Sequence, residues 1–304
     1  MVDAQVTALE ASEPPDARQA SLFRDAIAQL SRRPTFLLSG GFILLMIVVA
    51  IAPQAFAGWF GHGDPRDCNL SFSSLGPRSG HPFGFDKQGC DIYANVIYGA
   101  RDSMTIGLLV TALSIIIAIV LGSLSGFYMG AIDAVVSRVA DVFFGFPFIL
   151  GALVLLTSLR SHNVWTVSFA LALFIWPTLT RLMRASVLSA KQMDYVLSAR
   201  SLGASDWRLI RKHLLPNAIA PVIVISALTV GGVIAAESTL TFLGVGLQEP
   251  AISWGLQLSN AQSDFQTHPH LLVYPGLFLV ATVLSFIVLG DALQDVLDPR
   301  RNER

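Results

Sequence analysis

Six long stretches of the chain contain no Asp, Glu, Lys or Arg: residues 34–63, 103–132, 142–159, 161–180, 213–236 and 265–290. A helix needs about 20 apolar residues to cross the hydrocarbon layer of a bilayer, and one soluble core does not call for six such runs. The pattern predicts an all-α polytopic membrane protein with about six transmembrane helices, at roughly 35–57, 103–129, 142–160, 164–183, 215–243 and 271–291. Gly and Pro inside these runs do not oppose that reading, because both are more frequent in membrane helices than in soluble ones. Composition agrees: 53% of the 304 residues are hydrophobic and 13% charged, against roughly 45–50% and about 25% in a soluble domain.

Charge between the runs sets an orientation. Six crossings return both termini to one side, and the segments on that side carry fifteen of the twenty Lys and Arg residues. The opposite side holds Arg66, Arg78, Lys87, Arg101 and Arg160. Positive charge stays in the cytoplasm, so both termini are expected there. A net charge of −1 makes no electrostatic case for nucleic acid. Residues 1–30 read as a disordered cytoplasmic tail without a signal peptide, 31–102 as the first span with an extracytoplasmic segment, and 103–304 as the transmembrane core.

Several smaller features lie outside the cytoplasmic face. Cys68 and Cys90, the two cysteines, both fall in the first outer segment. In an oxidising compartment they can close a disulfide, and two independent thiols are the alternative. His268 and His270 flank Pro269 in the last outer segment. Two loop histidines make a thin metal site, so no metal ligand is assigned. Trp59, Trp165 and Trp254 stand near span ends and read as interface anchors. Gly122, Gly126 and Gly130 recur every four residues in the second span, a spacing that lets helices approach closely. Glu237 is the one acid well inside a span; it is either a hydrogen-bonded acid at a packing interface or part of a proton relay.

The longest basic cytoplasmic stretch, about 184–214, lies between the fourth and fifth runs. It reads as a short helix closed at Gly203, which can adopt the left-handed conformation. A second helix then starts at Ser205 as N-cap, with Asp206 complementing its dipole. Such a bend makes a rigid knob suited to receiving a push from a partner; an ordinary helical hairpin is the plainer alternative.

This stretch resembles the cytoplasmic signature loop of bacterial ABC importer permeases, which reads Glu-Ala-Ala, three residues, Gly, then a spacer ending in Leu-Pro. The matching positions are Leu197, Ser198 and Ala199, then Gly203, then Leu215 and Pro216, with the Glu and first Ala replaced. The run from Glu237 through Gly244 and Gly246 to Trp254 and Gly255 resembles the end of the fifth helix in dipeptide and oligopeptide permeases. Gly290, Asp291, Ala292 and Asp298, Pro299, Arg300 resemble their C-terminus. Phe85, Asp86, Gly89, Cys90 and Asp91, followed by Tyr98, Gly99, Ala100 and Arg101, resemble the start of their second helix, with Cys90 where the family usually has Arg.

The resemblance covers about residues 30–301. It implies the type I ABC importer permease fold and the "C" permease of the peptide group. Ala199, Arg200, Leu202, Gly203, Ala204, Ser205, Asp206 and Trp207 would form a coupling helix docked on an ATPase subunit. The expected partners are a homologous second permease, two ATPase subunits, an extracytoplasmic substrate-binding protein and the lipid bilayer. ATP and Mg²⁺ would sit on the ATPase subunits, since this chain has no Gly-x-x-x-x-Gly-Lys-Ser/Thr phosphate loop, and no cofactor or catalytic residue is expected in it. A nickel or metal-chelate importer of the same family is an alternative, and an ion-gradient-driven carrier is a more distant one.

Overall fold

The computed structural model describes residues 29–61 and 63–297, so the expectation of a disordered tail over 1–30 lies almost wholly outside the described residues. Helix α1, Pro34–Ile51, is followed by a short helix α2, Pro53–Ala57. The first apolar run is therefore broken rather than continuous to residue 57. Pro53 lacks an amide donor and its ring opposes an uninterrupted helix, and Ala52 leaves helical geometry.

Helix α3, Ile92–Tyr128, starts eleven residues before the expected second span and runs through a π-helical turn at Ala118–Gly122. Its start is set by Asp91, whose carboxylate accepts from the Tyr93 amide at 2.8 Å, an N-cap that needs no apolar signal. Arg101 and Asp102 thus lie inside the helix. Helices α4, Gly130–Phe144, and α5, Phe148–Ser158, meet at a bend of 86°. The third apolar run therefore takes in only the last residues of α4 and all of α5, with the break before Phe148, and α4 begins within the polar segment that precedes it. The bend borders an aromatic cavity of about 540 Å³ that includes Phe143, Phe146 and Phe174.

Helix α6, Val164–Ala190, precedes α7, Asp194–Ser201. Helix α8, Asp206–Phe242, begins nine residues before the expected fifth span. Ser205 makes no side-chain cap bond, and the second short helix expected there is instead the first turn of α8, joined to it through a π-helical segment Leu209–Leu214. Helices α9, Trp254–Ala261, and α10, His270–Leu297, complete the fold. Among the described residues, five helices are long and apolar enough to cross a membrane, or six if the bent pair is one span. Among the described residues there is no strand; three isolated bridges, Cys68 to Cys90, Arg78 to His81 and Phe85 to Asp91, shape the loop before α3.

The long helices pack side by side and their ends define two poles. One pole holds the loop 58–91, the start of α3 and the end of α8; the other holds α7, the end of α3 and the start of α8. At the second pole, the Arg33 guanidinium donates to Asp295 at 3.1 Å and ties α1 to α10. Close approach of α3 and α6 depends on two glycines. A Cβ on Gly122 would stand 2.7 Å from the Met183 Cβ, and one on Gly126 would stand 2.9 Å from the Arg184 carbonyl. Gly130, the third residue of that spacing, takes no part: it sits at φ +57° in the turn into α4 with no atom within 4 Å of a Cβ.

Candidate functional site

The knob between α6 and α8 is built from local rules. Met193 is extended and α7 follows it. Helix α7 ends in a double hydrogen bond: the Gly203 amide donates to the Arg200 carbonyl at 3.0 Å and the Ala204 amide to the Ala199 carbonyl at 3.1 Å. This is the Schellman closure, and it needs the left-handed conformation at Gly203, where φ is +81°. Ala199 and Ala204 both pack on the apolar cluster below, which includes Val196, Leu209, Ile210 and Leu214.

Polar contacts fasten the knob to its pole. The Lys191 ammonium donates to the Phe127 carbonyl at 2.6 Å and lies over the same ring, as does the Arg200 guanidinium. The Asn217 amide donates to the Tyr195 hydroxyl at 3.0 Å, bridging α7 to α8. Burial pushes the Tyr195 hydroxyl above the usual tyrosine range. The knob exposes large apolar side chains: Leu202 is 89% exposed and Trp207 68%, and Leu197 and Met193 are exposed as well. Ser205 and Asp206 are exposed as well. The sequence reading missed Phe127, Lys191, Tyr195 and Asn217 as the knob's supports, because their partners are distant in sequence.

At the opposite pole, Cys68 and Cys90 are joined as a disulfide with Cα atoms 4.1 Å apart. Its loop is fixed to the segment after α8. The Arg66 guanidinium donates to the Pro250 carbonyl at 3.2 Å, Lys87 pairs with Asp264 at 2.6 Å, and His270 contacts the Phe85 carbonyl at 3.3 Å. The Lys87 ammonium holds the Asp264 carboxyl below the usual carboxylate range. His268 and His270 have ring centroids 6.1 Å apart, and no group of three or more metal-ligating side chains exists among the described residues.

Glu237 is fully buried and accepts from Thr241 at 2.9 Å and from Ser253 and Ser238 at 3.3 Å. Ser253 in turn caps α9 by accepting from the Leu256 amide at 3.1 Å. Trp254 corrects the sequence reading: it is no interface anchor but fully buried, its indole donating to the Val96 carbonyl at 3.0 Å. Trp59 and Trp165 are exposed.

The described residues thus form a bundle of helices long and apolar enough to cross a membrane, with a capped knob between two of the long ones. Residues 118–303 match the family described as "Binding-protein-dependent transport system inner membrane component", and the chain belongs to that family. It is 35% identical over 282 residues to a glutathione transport system permease protein of Pectobacterium atrosepticum, covering 91% of each chain. It is 36% identical to the dipeptide transport system permease protein DppC of Bacillus subtilis, covering 86% of this chain and 81% of that one. The oligopeptide permease protein OppC of the same organism is 34% identical over 93% of this chain and 91% of its own. Among solved structures, the MetNI methionine ABC transporter in an inward-facing conformation matches 67% of this chain and 97% of that chain, with a TM-score of 0.55 at 16% identity. The fold is therefore that of ABC transporter permeases.

Proposed function

We propose that this chain is the translocation subunit of an ATP-driven importer of short peptides, with ATP hydrolysis carried by separate subunits. The observation that carries the coupling part is the knob: an exposed apolar face of Leu197, Leu202 and Trp207 on a rigidly fastened base. A surface of this kind, rimmed by polar residues, is characteristic of a docking site. The ATPase subunit docks on this face. ATP binding draws two such knobs together, one from this chain and one from a second, homologous permease. Helix α8 starts at the knob and is about 55 Å long, so motion at the knob reaches the other pole through one continuous element. Alternating access follows from that motion.

The excess of Lys and Arg on the knob side supports placing the knob and both termini in the cytoplasm. The disulfide pole then faces outward, where a substrate-binding protein delivers cargo. Relatives named for glutathione, dipeptide and oligopeptide transport support peptide cargo. The test is to tag the chain, extract it in mild detergent and identify co-purifying proteins. Recovery of ATPase chains and a second permease, with vanadate-sensitive ATP hydrolysis, is the expected result. Recovery of this chain alone, active in gradient-driven uptake, would overturn the proposal.

A further inference from the structure

Between the disulfide loop and the segment 249–261 lies a cavity of about 470 Å³. That falls within the range of roughly 300–1,000 Å³ typical of small-ligand sites. Its walls are held by the disulfide, the Arg66 bond to Pro250, the Lys87 pair with Asp264 and the Gln257 amide, which donates to the Asn95 carbonyl at 2.8 Å. The floor is equally fixed, since Ser253 lines the cavity and is bound to Glu237 of α8. The cavity is thus preformed.

Its charges are incompletely paired. Lys87 is neutralised by Asp264, but the Arg66 guanidinium bonds only the neutral Pro250 carbonyl among the described residues, while the Arg66 backbone amide donates to the Asp64 carboxylate at 2.9 Å. Glu249 makes no hydrogen bond or ion pair among the described residues, although it stands next to Pro250, which Arg66 touches. Asp86 lines the same wall; burial pushes its carboxyl above the usual carboxylate range, against hydrogen bonds from the Cys90 and Gln88 amides, and Glu249 adds to that push. The side chains of Arg66 and Glu249 therefore bring opposite charges without an ion-pair partner to one cavity, whose remaining lining mixes Gln88 and Asn260 with apolar side chains such as Ile92, Ile252 and Leu256.

We propose that this cavity is a binding site for a short peptide with both ends free, its ammonium group toward Glu249 and Asp86 and its carboxylate toward Arg66. An internal protein loop has no charged ends, so the free peptide fits the charge pattern better than a docking loop does. The proposal rests on the reading of this chain as a peptide importer subunit, and gives that importer an outer subsite on the permease itself.

The test uses the chain with its co-purifying partners in lipid nanodiscs, without the substrate-binding protein. Trialanine, N-acetyl-trialanine and trialanine amide are titrated by calorimetry. Trialanine binds, and blocking either end weakens binding about tenfold, as loss of one charge-assisted hydrogen bond predicts. Glu249→Gln abolishes the penalty for N-acetylation, and Arg66→Gln abolishes the penalty for amidation. Absence of trialanine binding to a complex that performs ATP-driven, binding-protein-dependent uptake overturns the inference and leaves the importer reading standing. Unchanged trialanine binding in both variants, with weakened association of the substrate-binding protein, assigns the cavity to protein docking and also overturns it. Failure to recover any ATPase partner sinks the importer reading, and the inference with it.

Discussion

Gly203 separates the knob's own geometry from its contact with a partner. The residue closes α7 at φ +81°, and beyond its two chain neighbours nothing lies within 4 Å of where its Cβ would be. Any L-residue placed there bears a backbone cost of about 1–2 kcal/mol, which corresponds to a roughly 5- to 30-fold shift in the population of the closed turn. A Cβ at this position meets no residue beyond its chain neighbours, so the Ala variant adds no steric cost. Gly203→Ala is therefore expected to reduce ATP-driven uptake partially, and Gly203→Asn less, because Asn tolerates the left-handed region. Gly203→Glu shares the backbone cost of Ala but places bulk and charge at the docking face. It is expected to abolish both uptake and recovery of ATPase chains, with membrane insertion unchanged. The assay compares uptake in cells, the amount of each variant in the membrane fraction and ATPase co-purification. If Glu and Ala behave alike at equal expression, the face around Gly203 contacts no partner and the coupling argument fails.

Three further outcomes follow from the packing. Gly122→Ala or Gly126→Ala should each lower the thermal midpoint in detergent, by an overpacking cost of about 1–3 kcal/mol, whereas Gly130 has open space at its Cβ and its variant should show the backbone cost alone; equal midpoints for Gly126→Ala and wild type would refute the close contact. Replacing Cys68 and Cys90 by Ser opens a link between positions 22 residues apart, worth about 3 kcal/mol in the chain-entropy account, and should expose the loop 58–91 to protease; an unchanged cleavage rate would show that the loop is held by its other contacts. Glu237→Ala strands the hydroxyls of Thr241 and Ser253 in a buried site at about 1–3 kcal/mol, with Glu237→Gln recovering most of that loss. Fluorescence-monitored unfolding checks this, and equal stability of the Ala and Gln variants counts against the network.

Much of this protein is local in origin and is therefore legible along the chain. Spans were visible because insertion into lipid depends on the mean apolarity of about 20 consecutive residues, a quantity that needs no knowledge of neighbours. The knob's closure at Gly203 was visible for the same reason, since a helix C-terminus is a matter of six or seven adjacent residues. Helix ends were less legible. Asp91 starts α3 within a charged stretch, and α8 absorbs Asp206 and Trp207, because a helix continues into polar sequence wherever its ends are capped or packed.

What only the tertiary structure decided joins residues far apart in sequence. Trp254 looks like an interface anchor by position, yet its indole reaches the Val96 carbonyl and it is buried. Phe127 carries no signal of its own until Lys191 and Arg200 close on it. The outer cavity exists because the loop 58–91 and the segment after α8, more than 150 residues apart at Arg66 and Pro250, are pressed together. Apolarity and turn chemistry are written residue by residue, whereas a cavity belongs to the space between elements and depends on how those elements pack.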